Sequence, residues 1–272
     1  MKRLAMALVL LVAAPAYADD IRVMTSGAFT AALLDLAPQY ERATGQKIVV
    51  GTTTMGTGAA SIGSRLQRGE PADVVIVAAT ALDDFIKDGV VVAGSRVDLV
   101  RSNIAMAVRA GAPKPDISSV EALKRTLLQA KSIAYSASVS GVYLSTELFQ
   151  RLGIADQVLP KSRRIERERV GAVVARGEAD IGVQQLSELL PVAGIDIVGP
   201  LPPGAQRVTV FSAGLAATTK NPDGAKALIT FLASPAAAPA IKKSGLEPLR
   251  LLHPLLDLLE LRFDLLEHGA IH

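Results

Sequence analysis

From Asp20 onward the chain alternates short apolar runs with segments whose apolar residues recur at helical spacing. Residues 21–24, 48–50 and 74–77 read as strands. Between the first two, Leu33, Leu36, Ala37 and Tyr40 share one face of a predicted helix over 29–43, with Gly45 as its stop signal. Residues 60–67 predict a short helix before the third strand. Continuous β-branched runs with helices between them predict a parallel sheet covered on both faces, wound right-handed.

A second unit follows. Residues 104–108, 132–135, 180–184 and 195–198 predict strands, and 142–152 and 170–176 predict helices. Ser118 and Glu121 have capping-box spacing ahead of another helix. The rigid connector 199–204, rich in Gly and Pro, leads into a strand over 207–216, and helices start at Pro222 and Pro235. The pattern predicts an α/β protein of two lobes, each a mainly parallel sheet flanked by helices. Lobe 1 takes residues 19–100 and 208–248, and lobe 2 takes 101–207. A single continuous doubly wound sheet is the competing arrangement.

The first residues stand apart. Met1-Lys2-Arg3 is basic, 4–14 is apolar, and Ala16-Tyr17-Ala18 is a small-x-small cleavage site. This predicts a secretory signal over 1–18, too short to span a membrane, and hence an exported protein. Losing Lys2 and Arg3 takes the net charge from +3 to +1. With 4% aromatic residues as well, nothing favours nucleic acid as a partner. The absence of Cys excludes disulfides, thiolate ligands and lipidation on Cys. His253, His268 and His272 all fall at the end, so the body has no imidazole for a Ser-His triad or a metal cluster. No cofactor or metal is expected.

Chemistry is expected in four loops, since open α/β sheets bind ligands beyond the carboxyl ends of their strands. The loops are Thr25 to Ala28, residues 51–61, residues 136–141 and residues 165–169. Small residues and hydroxyls at helix starts leave N–H groups facing an anion, although Ser, Thr and Gly also cap and turn helices in any protein. The candidate contacts are Ser26, Gly27, Ala28, Thr57, Gly58, Ala59, Ser138, Ser140 and Gly141. Arg167 adds a guanidinium suited to a carboxylate, within a run of Lys161, Arg163, Arg164 and Arg169 whose charges mostly pair with Glu166 and Glu168. Nucleotide motifs fail: Ser61 replaces the third Gly after Gly56-Thr57-Gly58, and Thr57 stands where a phosphate loop needs Lys. Asp83 and Asp84 read as the first turn of a helix.

The stretches Arg22 to Ala31, Gly69 to Ile76, Ser140 to Tyr143 and Arg176 to Gly182 resemble periplasmic solute-binding proteins of the molybdate-binding type. The resemblance implies the type II periplasmic binding protein fold, hinged lobes closing on a small anion, a periplasmic location and delivery to an ABC importer. Four departures fall where molybdate would be held. Ala28 replaces a ligand hydroxyl, Gly58-Ala59-Ala60-Ser61 replaces a serine run, Gln184 or Gln185 replaces a tyrosine, and Arg167 replaces an apolar residue. They favour a flat di- or tricarboxylate, captured by a monomeric receptor with no chemistry of its own. The run Gln184 to Leu189 resembles a branch that includes aconitate isomerases, which keeps proton-transfer chemistry as the alternative. Tyr143, Glu166 and Glu188 are then the catalytic candidates. Members of this type usually stop near Pro248, so residues 249–272 read as a helical extension, with an acidic stripe of Asp257, Glu260, Asp264 and Glu267.

Overall fold

A computed structural model describes residues 20–51 and 58–249. The signal segment, Thr57 and the extension beyond Leu249 lie outside the described residues. The chain opens with β1 (Ile21–Thr25), α1 (Gly27–Thr44) and β2 (Ile48–Val50). α1 lays Phe29, Leu33, Leu36 and Tyr40 into the core and ends where Gly45, at φ 75°, turns its N–H onto the Glu41 carbonyl. α2 (Ile62–Gln67) is capped by Ser61, whose Oγ accepts the Ser64 N–H at 3.3 Å. β3 (Val74–Ala78) is buried along its whole length and runs directly into α3 (Ala79–Lys87). Asp83 and Asp84 therefore sit inside α3 rather than in a first turn, where Arg96 forks onto Asp83 at 2.8 Å and Lys87 meets Asp84 at 3.2 Å. β4 (Val97–Ser102) completes this stretch.

At Asn103 the chain changes sheets and continues as β5 (Ile104–Arg109). α4 (Val120–Gln129) is capped by Ser119, whose Oγ accepts the Ala122 N–H at 3.1 Å. This corrects the expected cap at Ser118, whose N–H is instead taken by Asp116. The Lys161 ammonium closes the far end of α4 by donating to the Leu128 and Ala130 carbonyls, each at 2.6 Å. After β6 (Ile133–Ser136), α5 (Val139–Tyr143) passes through a π-helical turn, Leu144–Leu148, into α6 (Phe149–Arg151). α7 (Ala155–Val158), β7 (Ser162–Ile165), α8 (Val170–Ala175), β8 (Ile181–Gln185), α9 (Leu186–Leu189) and β9 (Ile195–Pro200) follow. The chain then returns to the first sheet as β10 (Thr209–Leu215). α10 (Pro222–Leu232), capped by Asn221, precedes α11 (Ala238–Lys243) and β11 (Glu247–Pro248).

The strands form two sheets, so the single continuous sheet is excluded. The first has the order β11-β4-β10-β3-β1-β2 and the second β7-β6-β8-β5-β9. β1 to β4 point one way with β10 and β11 against them, and β5 alone opposes its neighbours in the second sheet. Each sheet has its own core. Phe29, Leu33, Ile76 and Leu228 pack in the first, and Met106, Leu123, Phe149 and Ile181 in the second. Burial of each such side chain contributes on the order of 1.5–3 kcal/mol, enough to hold both sheets as rigid walls for what lies between them.

Candidate functional site

The carboxyl ends of β1, β2, β6, β7 and β8 converge on a cavity of about 280 Å³ between the two sheets. Gly27, Thr30 and Gly51 line it from the first sheet's side. Ser136, Ala137, Ser138, the loop Ile165 to Arg169, Gln184 and Glu188 line it from the second. A narrower recess adjoins it, walled by Ser26, Ala28, Ala78, Val139 and Phe211 and sharing Gly27, Ser138 and Glu188. The loop ends are tied to the sheets: Ser26 N–H donates to the Ile76 carbonyl at 2.8 Å and Ala137 N–H to the Ile165 carbonyl at 2.9 Å.

Three serine hydroxyls meet above β6. Ser136 Oγ lies 2.7 Å from Ser138 Oγ and 3.0 Å from Ser140 Oγ. They can do so because the helix behind them comes very close to the strand. A Cβ on Gly141 would collide with the Ser136 carbonyl oxygen, so only glycine fits there. Ser26 holds the N-cap position of α1 on the other wall without a side-chain cap bond, and its buried Oγ has no hydrogen-bond partner among the described residues.

Charge on the β7–α8 loop is sorted by pairing. Arg176 holds Glu168 with two bonds of 2.9 Å and also binds Glu178, which Arg163 contacts as well. These guanidinium groups hold the Glu178 carboxyl down to about 2 and lower Glu168 too. Arg164 takes Glu166 at 3.2 Å. Arg167 has no ion pair among the described residues and lines the cavity with its neighbour Arg169. An anion entering the cavity therefore meets unspent positive charge.

Glu188 is the exception to that charge balance. It stands on α9, is only 8% exposed, and shares both the cavity and the recess. Burial pushes its carboxyl up to about 7, against the opposing pull of Arg169 and of the neighbouring Gln184 amide. Gly27 makes room for it, since a Cβ there would collide with Glu188 Oε1. A carboxyl near neutrality, water-poor and facing a cavity, can both take and return a proton at physiological pH.

The structure thus brings Gly27, Ser138, Arg167, Gln184, Glu166 and Glu188 together in the cavity, with Ser26 and Ala28 in the recess and Ser140 behind Ser138. It does not bring Gly58 or Ala59, which are exposed, or Gly141, which is spent on packing. Gln185 points away, its Nε2 donating to Thr209 Oγ1 at 3.0 Å. Tyr143 is also elsewhere: its hydroxyl donates to the Ala205 carbonyl at 2.9 Å and accepts from Arg151 at 3.0 Å. Thr30 is a lining residue outside every loop singled out from the sequence. Gly51, Ser136 and Arg169 lie within those loops but were not named as contacts.

The family model described as bacterial extracellular solute-binding protein matches residues 21–247. An aconitate isomerase from Pseudomonas sp is 50% identical over 229 residues, covering 84% of this chain and 87% of that protein. The molybdate-binding protein of Azotobacter vinelandii is 27% identical over 246 residues, covering 86% of this chain and 92% of the relative. The solved structure of the Azotobacter vinelandii periplasmic molybdate-binding protein superposes with a TM-score of 0.67 at 22% identity, covering 84% of this chain and 98% of that one. The two-sheet fold is that of the type II periplasmic binding proteins, and the chain belongs to the family of bacterial extracellular solute-binding proteins.

Proposed function

We propose that this chain is an isomerase acting on an unsaturated tricarboxylate of the aconitate type, working on a solute-binding fold in the periplasm after loss of residues 1–18. The observation that carries the reading is Glu188, a buried carboxyl held near 7 on the wall of a cavity that Arg167 and Arg169 also line. The 50% identity to an aconitate isomerase supports it independently. In its ionised form this carboxyl would repel an anionic ligand, whereas exchanging a proton near neutrality is what proton transfer requires of it.

The proton balance is simple. Glu188 removes a proton from the substrate's methylene carbon, and the C–H electron pair delocalises over the adjacent double bond as an allylic carbanion. Returning the same proton to the former vinylic carbon moves the double bond by one position. No oxidant, reductant or metal enters the balance. Arg167, Arg169, the serine hydroxyls and the first N–H groups of α1 supply the groups that hold the carboxylates and spread the developing charge. Lobes over residues 19–100 with 208–248 and over 101–207 would close around the substrate, with Asn103 and the 201–208 connector as hinges.

The second reading is a carboxylate receptor serving an ABC importer, and the solute-binding family supports it. Proton NMR of cis-aconitate incubated with purified protein separates the two. Conversion to trans-aconitate, falling about 10²-fold or more in Glu188→Gln, is the expected result. Tight calorimetric binding with no conversion by the unaltered protein overturns the isomerase.

A further inference from the structure

The three serine hydroxyls above β6 carry three protons between them, and burial restricts where each can go. Ser140 is 1% exposed and Ser136 4%, whereas Ser138 is half-buried and borders both the cavity and the recess. Ser140 Oγ meets Ser136 Oγ at 3.0 Å and Ser138 Oγ at 3.4 Å, with no other hydrogen-bond partner among the described residues. A hydroxyl has one proton to give and two lone pairs to receive, and a buried donor left without an acceptor is costly. Ser140 therefore donates to a neighbouring serine, and Ser136 is the nearer. Ser136 in turn meets Ser138 Oγ at 2.7 Å, the shortest contact of the three, and gives its proton there. Ser138 has then accepted, and its own proton can return to Ser140 only across 3.4 Å, the longest and weakest leg. That leg ends on the one hydroxyl of the three that is open to both the cavity and the recess.

We propose that the three serines act as one directed donor, running from Ser140 to Ser136 to Ser138 to the ligand. Ser138 alone gives a proton to a substrate carboxylate, and Ser136 and Ser140 are positioning residues that act through it. The proposal deepens the reading of the cavity as a tricarboxylate site and rests on it. A carboxylate only accepts, so it takes the Ser138 proton in place of the 3.4 Å leg and disturbs neither of the shorter contacts. A hydroxyl that receives a bond becomes a better donor, so two buried serines strengthen a bond that neither of them makes. A ligand group that can only donate leaves the Ser138 proton on its weak leg, and the arrangement therefore selects for acceptors, carboxylates above all. Ser136 also borders the cavity, but its proton is held by Ser138 at 2.7 Å. Gly141 makes the chain possible, because the close approach that only glycine allows brings Ser140 within reach of Ser136. Ser138 and Ser140, both expected from the sequence as contacts, thus have different tasks.

The probe is tricarballylate, a saturated tricarboxylate with no double bond to move, titrated calorimetrically into the full chain. Ser138→Ala is expected to weaken its binding about tenfold or more, as for the loss of a hydrogen bond to a charged group. Ser140→Ala should cost about threefold in the otherwise unaltered protein and nothing further in the Ser138→Ala background, because its effect passes through Ser138. A serine that merely stabilised the loop would cost the same in both backgrounds, and equal losses overturn the proposal. So does a Ser138→Ala protein that binds tricarballylate undiminished, whichever other variants fold. If Ser140→Ala does not fold, Ser136→Ala takes its place in the cycle under the same criterion. Failure of tricarballylate to bind the unaltered protein overturns the tricarboxylate site and the directed donor together. The two readings otherwise fail separately. Coupled losses in a protein that leaves cis-aconitate unconverted remove the enzyme and keep the directed donor, whereas additive losses in an active isomerase remove the donor and keep the enzyme.

Discussion

Replacing Glu188 with Gln should stabilise the protein at alkaline pH and leave it nearly unchanged in acid. The carboxyl stands at about 7 in the folded chain against an ordinary value of 4.5, with burial the leading cause. A shift of about 2.5 units corresponds to roughly 3 kcal/mol at 1.36 kcal/mol per unit. The sign follows from proton binding. Between those two values the folded state holds a proton that the unfolded chain has released, so stability falls as pH rises. The favourable contribution of the neutral carboxyl is complete below 4.5 and gone above about 7. Gln has nearly the same shape and no charge, so Glu188→Gln should match the unaltered protein near pH 4, gain on it through the interval, and hold a constant advantage of about 3 kcal/mol near pH 8. Urea unfolding of both proteins across this range measures the difference, and other titrating groups cancel in the comparison. A difference independent of pH would show that Glu188 is ordinarily hydrated and would remove the basis for its role as a proton carrier.

Two further substitutions test the walls around it. Arg167→Ala should weaken tricarboxylate binding about 30-fold or more, as expected when a charge-assisted partner of a desolvated anion is lost. Arg163→Ala removes a guanidinium already engaged by Glu178 and should change affinity less than about fivefold; similar small losses in both by titration calorimetry would exclude Arg167 from the site. Gly27→Ala puts a methyl against the Glu188 carboxyl, a side-chain end that can move, so stability should fall by only about 1 kcal/mol while isomerisation collapses. Full activity in that variant would mean the Gly27–Glu188 approach is incidental.

The elements easiest to read in the sequence were those whose burial is nearly complete. Val74 to Ala78 is apolar at every position because helices cover both faces of β3, and α1 shows its stripe and its glycine stop plainly. β7 was missed for the opposite reason. It is an edge strand, and Arg163 and Arg164 at its centre are exposed, so the only sign of a strand is pairing with β6. The site was half legible for similar physical reasons. Loops after strands announced Gly27, Ser138 and Arg167 through composition. Gln184 and Gln185 looked equivalent until alternation along β8 sent one to the cavity and the other to Thr209. Tyr143 was attractive as an ionisable group, but its distance from the cavity depends on where the 201–208 connector passes, which no local pattern encodes. The weight of Glu188 was equally hidden, since a raised carboxyl is a property of burial rather than of residue type.

The position of β10 bears on how the molecule can be made. It lies between β3 and β4 in the first sheet yet follows every strand of the second in the chain. Until residue 215 is available, β3 and β4 have no neighbour on their facing edges, while the strands of the second sheet, all contained between residues 104 and 200, can already pair. Folding from the N-terminus should therefore pass through a species with a finished second sheet and a divided first one, whose open, strongly apolar edges invite pairing with other chains. A protein truncated after Pro200 would be held at that stage, and aggregation rather than partial function is its expected fate.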